Sequence, residues 1–390
     1  MSTPAMPKIK KNYILAPGPT PVPPEVSAAG AWPMIHHRTP QFRAIIKEVA
    51  EGLKYLFVTQ NPVYFTACSG TGVMEAAVAN LMSPGETMIV VEGGKFGERW
   101  SEIGKAYGLN VVPLKVEYGQ VASPVQIEEI LQKNPQAKGV FTQLSETSTG
   151  CVFDIEAIGK VVSKTNALFV VDGISGVGAE PCYPDKWGVD CLLTGSQKGV
   201  MLPPGLGFIS VSQKAWDSIE KAKSPRYYFD LRAYKKALAQ EDSPYTPAIS
   251  LVFQLREALN IIRKETIEGV WARHGWLAEG TRAAIKALNL ELFAQRPGNI
   301  LTAVKVPAGV DGEKLVQIMR DDLGVTIAGG QGEKMKGKVL RIAHLGYQDR
   351  FDVTTAIAAL EVALKRQGFS LKLGTGVAAA EEILWKDPQS

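Results

Sequence analysis

The chain has 390 residues, 45% of them hydrophobic and 21% charged, with 38 glycines and 24 prolines. That is material for two or three domains around a large core, too apolar for disorder and too poor in Gly and Pro for a low-complexity chain. The net charge of +4 is spread without long runs, which argues against a nucleic-acid partner, and no apolar run reaches the ~18 residues of a membrane helix.

Residues 13–33 are rich in Pro and Gly, and proline removes a backbone donor, so neither a regular helix nor a central strand is predicted there. Residues 41–57 follow with helical spacing, placing Phe42, Ile45, Ile46, Val49, Leu53 and Leu56 on one face. Short apolar runs then alternate with amphipathic stretches. The runs, at 63–67, 87–91, 110–114, 139–143, 167–172, 190–194 and 206–210, are mostly β-branched and continuous, as strands buried on both faces require. The amphipathic stretches lie at 72–81, 97–107, 125–133 and 155–163. This rhythm predicts an α/β fold with a mostly parallel, helix-flanked sheet of seven strands. It stops near Ser210. A polar stretch leads to Pro244 and Pro247, and a long helical region is predicted over 248–288. A smaller α/β pattern closes the chain, with strands at 301–306 and 339–343 and helices at 312–323 and 353–366. The expected division is an N-terminal segment 1–20 near the active site, a large domain 21–270 and a small C-terminal domain 271–390.

The cysteines, Cys68, Cys151, Cys182 and Cys191, include no C-x-x-C pair, so zinc and iron–sulfur spacings are missing. Thiols this sparse fit a reducing compartment. With only four histidines, His36, His37, His274 and His344, a multi-histidine centre and a metal are not expected. The opening MSTPAMPKIKK lacks the apolar centre of a secretory signal, so a cytoplasmic protein is expected.

Ligands on sheets of this kind bind beyond the carboxyl ends of the strands, and four features fall at or near such places. Ser69-Gly70-Thr71-Gly72 joins a strand to a helix with residues small enough for backbone N–H groups to approach a phosphate. Asp172 closes a buried run, where a carboxylate needs a partner. Lys198 follows the next run among small residues and could serve as an amine nucleophile. Arg341 lies inside an apolar strand and suits bidentate capture of a carboxylate. Each also has a plain structural reading: a tight turn, a helix cap, a surface lysine, a salt bridge. Together they are what a pyridoxal 5′-phosphate site requires. Lys198 would hold the aldehyde, Asp172 would keep the pyridine nitrogen protonated, Ser69, Gly70 and Thr71 would grip the phosphate, and Arg341 would take the substrate α-carboxylate.

The motifs PGPTPVPP, SGTGVMEAA, ETSTG, VVDGISGVG, TGSQKG, PPGLG and LRIAHLG, in that order, resemble the class V aminotransferases, the alanine–glyoxylate and serine–glyoxylate (serine–pyruvate) enzymes in particular. The resemblance implies fold type I and a homodimer with active sites shared between subunits. It also implies that Thr147 bonds the phenolic oxygen of the cofactor and borders the substrate. By the same likeness Gln197 is a phosphate ligand, Thr246 reaches the phosphate of the neighbouring subunit, and Phe96 stacks on the pyridine ring. Gly18 and the run His37-Arg38-Thr39 would border the substrate entrance. Phe96 stands where relatives often carry Trp, and Ser243 where some carry Tyr. The implied reaction moves an amino group from alanine or serine to a 2-oxo acid such as glyoxylate or pyruvate, by a ping-pong route. The alternatives within the fold are an enzyme of phosphonates or other non-standard amines, and a desulfurase or lyase.

Overall fold

The computed structural model describes residues 11–386. Residues 1–10, which hold most of the stretch read above as no secretory signal and half of the expected segment 1–20, lie outside the described residues, as do 387–390.

Seven strands form the central sheet: β1 (Val63–Ala67), β2 (Thr87–Glu92), β3 (Asn110–Lys115), β4 (Gly139–Gln143), β5 (Leu168–Asp172), β6 (Cys191–Gly195) and β7 (Leu206–Val211). Their spatial order is β1-β7-β6-β5-β4-β2-β3, and only β7 runs against its neighbours. The carboxyl ends of β1, β5 and β6 therefore share one edge, which is what gathers the site.

The two-residue period of a strand explains the continuous apolar runs. Ile89, Val91, Val140, Phe169 and Val171 pack on one face of the sheet, while Met88, Val90, Phe141, Leu168 and Val170 pack on the other. Helices α1 (Pro40–Phe57), α4 (Pro124–Lys133), α5 (Ile155–Val162) and α6 (Ile249–Glu265) cover the first face. Helices α2 (Gly70–Leu81) and α3 (Lys95–Ala106) cover the second.

The structure departs from expectation in four places. Helix Pro24–Ala29 forms inside the Pro-rich segment, because Pro24 sits in the first turn where no N–H is required. The region 248–288 is two helices, α6 and α7 (Ile267–Ala287). Thr266, at φ 67°, ends the first, and its hydroxyl caps the second by accepting from Gly269 N at 3.1 Å. The helix expected over 312–323 is α-helical only at Gly312–Gln317 and continues as a π turn at Ile318–Asp322. The polar stretch after β7 holds helices Gln213–Ile219 and Leu231–Leu238.

A second, three-stranded antiparallel sheet combines β8 (Leu301–Lys305), β9 (Ala328–Gly329) and β10 (Val339–Ala343) in the order β8-β10-β9. Helices α7, α8 (Arg350–Arg366) and α9 (Thr375–Leu384) pack with it around Leu277, Val304, Ile342 and Leu360. The N-terminal segment links the two sheets. Tyr13 and Ile14 pair with Val325 and Thr326 beside the small sheet, and Thr20 N then donates to Gln197 O at 3.1 Å. No helix among the described residues is long and apolar enough to cross a membrane.

Candidate active site

A cavity of about 120 Å³ opens at the carboxyl edge of the central sheet. It brings together Ser69, Gly70, Thr71, Phe96, Thr147, Asp172, Gln197 and Lys198, eight of the residues singled out in the sequence. Gly18 borders it as well: at φ +120° it passes so near Lys198 that a Cβ there would lie 2.5 Å from Nζ.

Lys198 is buried, and its Nζ donates to the carbonyl of Pro17. Burial, and after it the charge of Arg341, pull its amine down to about 8, with Asp172 opposing. Asp172, at the end of β5, accepts from Ile174 N at 2.7 Å. Burial pushes its carboxyl up to about 7; the Ile174 bond works against the rise and Glu146 adds to it. The Thr147 hydroxyl meets Ser175 Oγ at 2.6 Å. Arg341 reaches over from the small sheet: Nε donates to Gly329 O at 2.9 Å and Nη1 to Thr147 O at 3.0 Å. Among the described residues its Nη2 makes no hydrogen bond, which leaves one donor edge for a ligand.

Helix α2 begins at the cavity with an N-cap, Ser69, that makes no side-chain cap bond. The N–H groups of Gly70 and Thr71 have no partner among the described residues, so they point positive charge at the space in front of them. Gln197 Oε1 is buried and also without a hydrogen-bond partner.

The structure does not bring every expected residue here. Thr246 lies in a separate cavity with Ser243, Tyr245, Tyr228 and Phe65. The entrance run has other partners: Arg38 pairs with Asp242 at 2.7 Å, and Thr39 caps α1. Four lining residues were not singled out in the sequence: Arg99, Ser145, Ile174 and Ser175. Their signal was faint, since Arg99 reads as an ordinary helix residue and the others as turn residues.

Glu146 was quoted only as part of a motif, yet it organises the site. Its buried carboxylate accepts from Phe96 N, Gly97 N at 3.0 Å, Ser148 N at 3.1 Å and Ser148 Oγ at 2.6 Å. It thereby ties the first turn of α3, which carries Phe96, to the turn that carries Thr147. The cysteines carry no such chemistry. Burial holds all four thiols above their ordinary range, with Cys68 and Cys182 pushed up to about 12.

Residues 13–348 match the family model described as Aminotransferase class-V. The chain belongs to the class V aminotransferases. It is 41% identical over 379 residues to the soluble hydrogenase 42 kDa subunit of Anabaena cylindrica, covering 96% of this chain and 98% of that one. It is 37% identical over 380 residues to the L-aspartate–glyoxylate aminotransferase of Paracoccus denitrificans, covering 95% and 96%. The crystal structure of ureidoglycine–glyoxylate aminotransferase from Bacillus subtilis superposes with a TM-score of 0.92 at 29% identity, covering 98% of this chain and 100% of that one. The protein is thus a transaminase, and the cofactor of its family is pyridoxal 5′-phosphate. The residues present fit that group. The aminotransferase has a buried lysine of lowered pKa, a carboxylate at the neighbouring strand end, and open N–H donors in the same cavity.

Proposed function

We propose that this aminotransferase moves the amino group of L-alanine or L-serine to glyoxylate or pyruvate in a ping-pong cycle, as a cytoplasmic homodimer. The observation that carries this reading is the convergence of Lys198, Asp172 and Thr147 in one cavity, with the Arg341 guanidinium bonded to Thr147. Glyoxylate as acceptor is supported by its place in the names of two of the proteins compared above. In this reading 21–270 supplies the cofactor-holding lobe, and 271–390 brings Arg341 to it.

When bound, pyridoxal phosphate supplies an electron sink for the bond broken at the substrate Cα. Lys198 would hold the aldehyde end, and its amine, pulled down to about 8, is neutral far more often near physiological pH than that of an ordinary lysine. Once the substrate amine has taken its place at the aldehyde, the freed Nζ would take the proton from the substrate Cα as general base. Asp172 holds the proton on the pyridine nitrogen, and a cation there favours its ionised form despite burial. Thr147 donates to the phenolic oxygen, Phe96 covers the ring face, and the N–H groups of Gly70 and Thr71 with the Ser69 hydroxyl and the Gln197 amide hold the phosphate. Arg341, braced on Gly329 and Thr147, offers Nη2 to the substrate α-carboxylate. Thr246 sits away from Lys198 beside the exposed Tyr227 and Tyr228, which suits a contact to the phosphate of a second subunit.

The test is a visible spectrum of the purified protein, followed by single amino acids without any oxo acid. A yellow chromophore that bleaches with alanine or serine, and is missing from Lys198→Ala, is the expected result. Arg341→Ala should raise KM for the donor about a hundredfold, equivalent to about 2.7 kcal/mol. An unaffected KM would point to an amine without the α-carboxylate.

A further inference from the structure

The phosphate end of the cavity has a charge problem. A phosphate monoester carries about −1.5 to −2 at neutral pH, yet the groups assigned above to hold it, Ser69, Gly70, Thr71, Gln197 and Thr246, are all neutral. The start of α2 contributes only about half a positive charge. Burying so much negative charge against neutral donors is costly without a full counter-charge.

The cavity is lined by two cationic side chains, Lys198 and Arg99. Lys198 is committed to the aldehyde end. Arg99, in the second turn of α3, donates from Nη1 to Thr71 Oγ1 at 3.1 Å. Its guanidinium carbon lies 4.8 Å from the centroid of the Phe96 ring, and no carboxylate pairs with it among the described residues. An arginine without an acidic partner, held by an aromatic face and by a hydroxyl of the phosphate turn, has its remaining donors free for an oxyanion.

We propose that Arg99 is the counter-ion of the cofactor phosphate, placed beside Thr71 and steadied by Phe96. The proposal rests on the reading that this cavity takes pyridoxal phosphate. It adds a charged ligand to a set that was otherwise neutral, and it gives the aromatic residue at position 96 a second task. Phe96 covers the ring of the cofactor and also steers the guanidinium that neutralises its tail.

The experiment compares two ligands that differ only in the phosphate. Cofactor-free wild type, Arg99→Gln and Arg99→Lys are titrated with pyridoxal phosphate and with pyridoxal, following tryptophan quenching and the Lys198-dependent absorbance. Circular dichroism checks that the half-buried substitution leaves the fold intact. Arg99→Gln is expected to weaken pyridoxal phosphate tenfold or more, about 1.4 kcal/mol, and to leave pyridoxal within twofold. Arg99→Lys should recover part of the loss, and added inorganic phosphate should strengthen pyridoxal binding in wild type but not in Arg99→Gln. Equal losses for both ligands would overturn the proposal, showing that Arg99 acts through the Phe96 ring alone. Undiminished pyridoxal phosphate affinity would overturn it too, as would a defect confined to donors with a second carboxylate, which would assign the guanidinium to the substrate. Wild type that develops no absorbance with pyridoxal phosphate would instead sink the cofactor reading on which the proposal stands.

Discussion

Lys198 shows what a single residue acquires from its surroundings. In the sequence it is a lysine among small residues at a strand end, and nothing local separates it from a surface lysine. In the fold it is buried under Pro17, 181 residues earlier, and its amine falls to about 8. That value makes a prediction. The neutral amine is the form that captures an aldehyde, so its share falls about tenfold for each pH unit below 8. Uptake of pyridoxal phosphate by the cofactor-free protein should therefore accelerate steeply from pH 6 to pH 8 and level off above. Arg341 is the second-largest cause of the depression after burial, so Arg341→Gln should move the midpoint upward. Initial rates of absorbance change across a pH series decide it; a midpoint near 10.5 in wild type would mean that the lysine is solvated.

At the scale of elements, what could be read in the sequence was whatever is decided locally. The seven strands were legible because a strand buried on both faces must be apolar at every position, whatever its neighbours. Helix α1 was legible from its one-sided spacing, and the phosphate turn from its small residues. The break at Thr266 was not, since nothing local to a β-branched threonine announces the positive φ of 67° that it adopts there. Nor was the role of Glu146, whose partners Phe96 and Gly97 lie 50 and 49 residues away. That contact is a helix cap supplied from a distant turn. It satisfies N–H groups at the start of α3 that the N-cap, Gly94, has no side chain to reach. Glu146→Gln keeps the shape but replaces one acceptor oxygen with a donor facing other donors. Each buried N–H left unmet costs about 1–3 kcal/mol. We expect the unfolding free energy from urea titration to fall by about 1–3 kcal/mol, together with weaker cofactor binding because Phe96 is no longer held. A variant as stable as wild type, with unchanged affinity, would remove Glu146 from the site.

Across the whole molecule, the large and small sheets meet at a second buried carboxylate that motif reading passed over. Glu180, in the turn after β5, accepts from the backbone N–H of Asn299, just ahead of β8, and Arg282 and Arg296 lie near enough to act on it. Its neighbour Asn299 also accepts through its carbonyl from buried His344 at 2.7 Å, so the carboxylate belongs to the seam that aligns Arg341 with the central cavity. Burial pushes Glu180 up to about 7 from 4.5, against the hydrogen bonds and arginines that pull the other way. The sign follows from which state loses its proton first. Between pH 4.5 and 7 the unfolded chain ionises while the folded chain still holds the proton, so this group draws stability down as pH rises through that window, and is level outside it. At about 1.4 kcal/mol per pH unit the effect is large enough to measure, although Asp172, also raised to about 7, adds a slope of the same sign. Glu180→Gln cannot ionise. Its stability, followed by urea unfolding from pH 4.5 to pH 8, should decline less across the window than that of wild type, so that the variant gains on wild type as pH rises. Parallel curves would show that Glu180 stays ionised in the folded protein and that Arg282 and Arg296 outweigh its burial.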